Sequence, residues 1–172
     1  RGLGDVYKRQ VIELSIPEAD LISKLRQPHA AWYPLAEAIR TRSQCLRLTL
    51  PFGPNIAVGV RRLADGFRGT RFLIDPFRHG PESGWQAQVR LAECDNVWLT
   101  SLGLRKWPRR EDQEDALFFT MGEVGASKLL YASGGSLSQL QFDAEKWLSD
   151  FSCVDADQRS LILTLNAREL FC

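Results

Sequence analysis

The sequence predicts an α+β fold: an antiparallel β-sheet or partly closed barrel, with two N-terminal helices ahead of it and a C-terminal helical cap behind it. Three observations carry that expectation. Apolar residues recur at helical spacing before Gln44 and at every second position beyond it, and these two periods separate helix from strand. Turns rich in Gly, Pro, Asn and Asp divide the alternating runs. No helical stretch is evident between one run and the next, which favours hairpin connections over βαβ units.

Ser15 and Glu18 have the spacing of a capping box, and Pro17 suits a first helical turn. Leu21, Ile22 and Leu25 then predict a helix near 17–26, ended by Pro28. A second helix near 34–43 starts at Pro34, with Leu35, Ala38 and Ile39 on one face. Its last turn holds Arg40 and Arg42, where the helix dipole favours positive charge. Leu46-Arg47-Leu48-Thr49-Leu50 alternates as a half-buried strand does. After a turn at 51–55, Ile56, Val58 and Val60 continue the alternation. Gly66 and Gly69 precede the run 71–75, and the loop 79–84 precedes Trp85, Ala87, Val89 and Leu91. Further strands are expected near 97–104, 116–121, 128–132 and 137–142, and a helix near 143–151. The tail 158–171 fits two readings: Leu161, Leu163 and Leu165 as a strand entering a short helix, the one taken here, or Leu163, Ala167, Leu170 and Phe171 as one face of a helix starting at Asp157.

Residues Asp5-Val6-Tyr7-Lys8-Arg9-Gln10 resemble one reading frame of the transposon end used to prepare DNA sequencing libraries. The chain begins at Arg1, and its single methionine is Met121. Residues 1–10 are accordingly expected to be a translated adaptor scar, with any segment upstream of Val11 lost, and residues 11–172 a single α+β domain.

Composition bounds the class. An apolar fraction of 44%, five tryptophans and nine phenylalanines argue for a packed core and against disorder. No apolar run approaches the length of a membrane-spanning helix. Cys45, Cys94, Cys153 and Cys172 are widely separated, without a CxxC or a close Cys/His pair. They read as free thiols in a reducing, cytoplasmic setting, and neither a metal nor another cofactor is expected. Leaving out residues 1–10, which hold Arg1, Lys8, Arg9 and Asp5, moves the formal charge from +1 to −1. Residues 40–110 carry 13 basic and 5 acidic side chains, whereas 111–172 carry 4 and 11. Mutual neutralisation explains this split, and so does a basic face for an anionic partner.

Strand alternation gives the leading candidate site. With Leu48, Val58, Phe72 and Val89 inward, Arg47, Arg61, Arg71 and Arg90 point outward from four strands, joined by Gln86 and Gln88. Guanidinium forks suit phosphate or carboxylate, although a solvated sheet face accounts for the same pattern. Function is thus expected to be that of a non-enzymatic binding or interaction module, its partner an anionic ligand or another protein. The alternative is a small hydrolase-type enzyme, or a fragment of one, with Asp75, His79 and Glu82 around a pocket: residue types fit for acid–base work. A third reading is an accessory domain of a longer protein. Trp107 among Arg105, Lys106, Arg109 and Arg110 has the composition of a nucleic-acid grip, but Glu111-Asp112-Gln113-Glu114-Asp115 cancels much of that field.

Overall fold

The computed structural model describes residues 12–15, by their backbone alone, and residues 45–50, 56–132 and 144–171. Five strands form one sheet: β1 (Ile12–Ser15), β2 (Cys45–Thr49), β3 (Arg71–Ile74), β4 (Val97–Thr100) and β5 (Leu129–Leu130). They lie side by side in chain order, and all four pairings are parallel. The expected antiparallel sheet, and with it the α+β class, is corrected to a parallel α/β arrangement. Parallel neighbours cannot be joined by a hairpin and need a crossover. Helix α1 (Ile56–Gly66) crosses from β2 to β3. Helix α2 (Trp85–Val89), extended by a tighter turn over Arg90–Glu93, crosses from β3 to β4. Helix α3 (Arg110–Glu123) crosses from β4 to β5. The order never reverses as it does in a doubly wound sheet, so the progression is that of a βα barrel.

Two of the expected strands are these crossover helices. Ile56, Val58 and Val60 do alternate, but the buried positions of α1 are Ile56, Gly59, Val60, Leu63 and Ala64. That is the stripe of an amphipathic helix, and Val58 is left 53% exposed. Trp85, Gln88, Val89 and Ala92 repeat the pattern through α2 and its extension. An alternating run of five to seven residues satisfies both periods, and only the longer window decides. The strand expected at 116–121 lies inside α3, whose buried residues Gln113, Ala116, Leu117 and Thr120 again follow helical spacing.

The described part of the C-terminal region, 144–171, is helical apart from the turn at 150–155. Helix α4 spans 144–149. Helix α5 (Ala156–Ser160) opens on a capping box between Asp155 and Gln158. A widened turn, Leu161–Leu165, leads into α6 (Asn166–Phe171). The strand reading of 161–165 is therefore corrected, and the segment follows the helical alternative from Asp157. The expected runs at 46–50, 71–75, 97–104 and 128–132 overlap β2 to β5, although β4 stops at Thr100 and β5 holds only Leu129 and Leu130. The helices expected near 17–26 and 34–43, and the strand near 137–142, lie outside the described residues.

The sheet is covered on both sides. Leu46, Leu48, Phe72, Ile74, Val97, Leu99 and Leu129 meet Ile56, Val60, Leu63, Val89, Ala116 and Leu117 of the crossover helices. On the inner face Cys45, Leu73, Trp98 and Leu130 pack with Leu170 of α6. Double coverage explains why all four residues of β4 are buried, and why its sequence runs apolar instead of alternating cleanly. Burial pushes the Cys45 thiol up to about 12, against the pull of Arg71, so it behaves as an inert core group. Among the described residues no helix is long and apolar enough to cross a membrane.

Candidate active site at the carboxyl ends of the strands

In βα barrels the loops at the carboxyl ends of the strands carry the chemistry. Here that edge gathers Thr49 and Leu50 after β2, Asp75 to His79 after β3, Thr100 to Gly103 at β4, and Tyr131 after β5. Asp75 stands at its centre. Its Oδ1 accepts hydrogen bonds from the backbone N–H of Phe77 and of Gly103, each at 3.2 Å. Its other oxygen makes no hydrogen bond to the described residues. Burial raises the pKa of this carboxyl, although those two N–H groups and the charges of Arg47 and Arg78 pull it down.

Gly103 makes the clamp possible. A Cβ at this position would lie 2.5 Å from Phe77 C and Arg78 N, so the β3 and β4 loops touch backbone to backbone. Beside Asp75, Arg78 Nη1 donates to Thr49 Oγ1 at 3.3 Å. His79 Nε2 lies 2.9 Å from the Leu50 carbonyl; a carbonyl only accepts, so this nitrogen carries the proton. Ser101 Oγ accepts from Ala132 N at 3.2 Å and ties β4 to the chain after β5. Thr100 is 3% exposed, and its hydroxyl has no hydrogen-bond partner among the described residues.

An aromatic block supports the loops from below. Phe77, Trp85 and Trp107 have ring centroids 5.8 Å apart in each pairing, and Phe119 meets Trp85 at 5.2 Å. Trp107 Nε1 donates to Phe77 O, Gln113 Nε2 to Trp107 O, and Trp147 Nε1 to Gln113 Oε1. Trp107 is only 4% exposed, so it braces the loop and offers no ring for stacking a base.

Of the four arginines expected on one sheet face, the register keeps Arg47 and Arg71 on the same side, opposite Leu48 and Phe72, whereas Arg61 and Arg90 lie on helical segments. Arg47, half-buried on the inner face of β2, stands in register with Leu73 and acts electrostatically on Asp75. Arg71, at the start of β3, donates to the Glu169 and Leu170 carbonyls of α6. Arg61 belongs to α1, where it bonds Glu93 at 2.7 Å and the Arg90 carbonyl at 3.2 Å. Arg90 follows α2, pairs with Glu123 at 2.8 Å and lies over the Phe119 ring. Both side-chain bonds raise the guanidinium pKa, and the partner Arg90 holds Glu123 below the usual carboxylate range. On α2, Gln86 faces solvent, whereas Gln88 is buried with Oε1 unpartnered. The helical period has taken Arg61, Gln86, Gln88 and Arg90 off the sheet. The motive for a single anion-binding face goes with it.

Of the alternative trio, Asp75 and His79 are brought to the strand edge and Glu82 is an exposed residue of the same long loop. Asp75 and His79 are anchored by different backbone groups, not by each other. Sequence reading missed Thr49, Arg78, Thr100, Ser101 and Gly103. The signal available was positional, since each follows or ends a short apolar run. A separate polar cleft of about 410 Å³ is lined by Arg61, Asp65, Arg68, Glu93, Cys94 and Asn96. It lies at the amino ends of the strands, where Asn96 Nδ2 ties down the carbonyls of Ala64, Phe67 and Thr70, and in barrels that end serves stability.

No family model matches the sequence, and no curated protein does. Solved structures match its fold. A proposed 2-pyrone-4,6-dicarboxylic acid hydrolase from Pseudomonas putida superposes with a TM-score of 0.64 at 22% identity, over 94% of this chain and 62% of that one. An amidohydrolase from Burkholderia multivorans with bound zinc gives a TM-score of 0.64 at 16% identity, over 98% of this chain and 68% of its own. A TIM-barrel protein from Bordetella bronchiseptica gives 0.58 at 16%, over 81% and 49%. The fold these likenesses show is the TIM-type βα barrel, and this chain spans about three fifths of the first of these proteins. Zinc does not fit the described residues: no three His, Cys, Asp or Glu side chains converge, and His79 Nε2 and Asp75 Oδ1 already have partners.

Proposed function

We propose that this chain is the site-bearing part of a βα-barrel hydrolase acting on a carboxylate-bearing ester or lactone. One observation carries the reading: Asp75 is fixed through one oxygen while the other is open, at the strand edge where barrel enzymes work. A carboxylate locked by two N–H groups keeps one orientation, and its free oxygen is able to take a proton from water. Arg47 and Arg78 bring positive charge toward the same carboxyl, suited to an anionic substrate and to the oxyanion of the tetrahedral intermediate. The substrate class is drawn from the Pseudomonas protein, whose described substrate is a lactone with two carboxylates.

The test is hydrolysis of 2-pyrone-4,6-dicarboxylate by the full chain, followed by loss of the pyrone absorbance. Asp75→Asn is expected to lower kcat by roughly 10²-fold or more, as removal of a general base does, with the circular dichroism spectrum unchanged. Wild-type turnover in that variant, or none in the wild type, contradicts the reading.

A further inference from the structure

We propose that Thr100 is a positioning residue that holds the attacking water against Asp75, an inference that rests on the hydrolytic reading of the site. The register places it there. Leu48 pairs with Ile74 and Ile74 with Leu99. One position further on, Thr49 ends β2, Thr100 ends β4, and Asp75 between them is the first residue past β3, so the continued register brings the three to one edge of the sheet. Register partners in a parallel sheet project to the same face, and neighbouring strands lie about 4.8 Å apart.

The two threonines flanking Asp75 differ. Thr49 accepts a hydrogen bond from Arg78. Thr100 is buried, and its Oγ1 has no partner among the described residues. Nearly all buried polar side chains in native proteins are satisfied, and in a helix the backbone does it, as Thr120 shows by donating to Ala116 O at 2.7 Å. A strand offers no such carbonyl, because the ladder uses it. Valine has the same branched shape without the unmet hydroxyl, so packing alone does not explain threonine here.

A water between the two side chains satisfies both. It accepts a hydrogen bond from Thr100 O–H and donates one to the open Asp75 oxygen, Oδ2. One lone pair of the water then points away from both groups and attacks the substrate carbonyl carbon. A carbon–oxygen bond forms, the carbonyl π pair moves onto its oxygen, and the water proton passes to Asp75 Oδ2. On collapse the bond to the leaving oxygen breaks, and Asp75 returns the proton to that oxygen. Thr100 is neither consumed nor ionised.

The experiment compares Thr100→Val and Thr100→Ser in the full chain. Thr100→Val is expected to lower kcat for 2-pyrone-4,6-dicarboxylate about 10- to 100-fold with KM within about twofold, and Thr100→Ser to restore most of it. The melting temperature of Thr100→Val should equal or exceed that of the wild type. Full turnover in Thr100→Val, beside an inactive Asp75→Asn, overturns the role of Thr100 and leaves that of Asp75 standing. A second measurement does not need turnover: the carboxyl carbon of Asp75 is titrated by NMR. Loss of the bridging water should raise its midpoint in Thr100→Val. Equal midpoints overturn the proposal even if the wild type hydrolyses nothing, which would sink the hydrolytic reading separately. Should Thr100→Val fail to fold, Thr100→Ala is read in the same way.

Discussion

The surroundings of Asp75 disfavour its charged form. Burial is the largest influence on it and raises its pKa above the ordinary 3.8; the N–H groups of Gly103 and Phe77 and the charges of Arg47 and Arg78 offset only part of that. The native state therefore binds this proton more tightly than the unfolded chain does. A carboxyl of this kind contributes its stability fully below its unfolded pKa and loses it as pH rises through the folded one. In its charged form the side chain weighs against the fold, which is common where a group is kept for chemistry. Asp75→Asn keeps an acceptor for both N–H groups and removes the charge. Its melting temperature should exceed that of the wild type by a few degrees at pH 7, and the difference should shrink toward zero at pH 3. Melts at the two pH values decide this: equal destabilisation at both would mean that the N–H clamp, not burial, dominates. The sequence named Asp75 through its neighbours His79 and Glu82. It gave no sign of Gly103, because a close approach of two backbones leaves only a glycine behind and glycines are common in loops.

Elements were legible where a short window decides and illegible where it does not. Leu46 to Leu50 reads correctly as a strand, since Arg47 and Thr49 are partly exposed and the alternation is real. Ile56 to Val60 shows the same alternation, yet it opens an eleven-residue helix whose period emerges only when Leu63 and Ala64 are included. That one misreading fixed the topology: with the crossover helices taken as strands, neighbours had to be antiparallel. It also displaced Arg61 and Arg90 from the imagined sheet face. Substitution separates the two geometries directly. In a strand Val58 and Val60 face the same side. In α1, Val60 is fully buried and Val58 is largely exposed. Val58→Lys should therefore change stability by no more than about 0.5 kcal/mol, as surface substitutions do. Val60→Lys should abolish cooperative folding, because it buries an unpaired charge. Urea titration of the two variants is sufficient, and similar losses in both would restore the strand.

At the scale of the whole molecule the question is what covers the inner face of five parallel strands. Charge supplies part of the answer to how distant segments hold together. Arg90 with Glu123 and Arg110 with Asp150 join the basic middle of the sequence to its acidic end, although exposed pairs such as these add little each. The larger contribution is apolar. Leu170 of α6 packs on Cys45, Leu73, Trp98 and Leu130, from four different strands. The widened turn at Leu161–Leu165 sets this up, since it brings Ile162, Asn166 and Leu170, all buried, onto one side at a spacing of four. Asn166 Nδ2 fastens the helix to the Ala126 and Leu129 carbonyls at 2.6 Å each, and Arg71 donates to the carbonyls at its end. If α6 is an integral wall of the sheet, Leu170→Ala should destabilise by about 2–5 kcal/mol, the range for a large-to-small change in a core. Leu165→Ala, at an exposed position one turn earlier, should lie within about 0.5 kcal/mol of wild type. The urea midpoint should fall in the first variant with an unchanged slope, and tryptophan fluorescence should report it, because Trp98 lies in the same cluster. Two equally mild variants would mean that α6 merely rests on the sheet and that the inner face is held by something else.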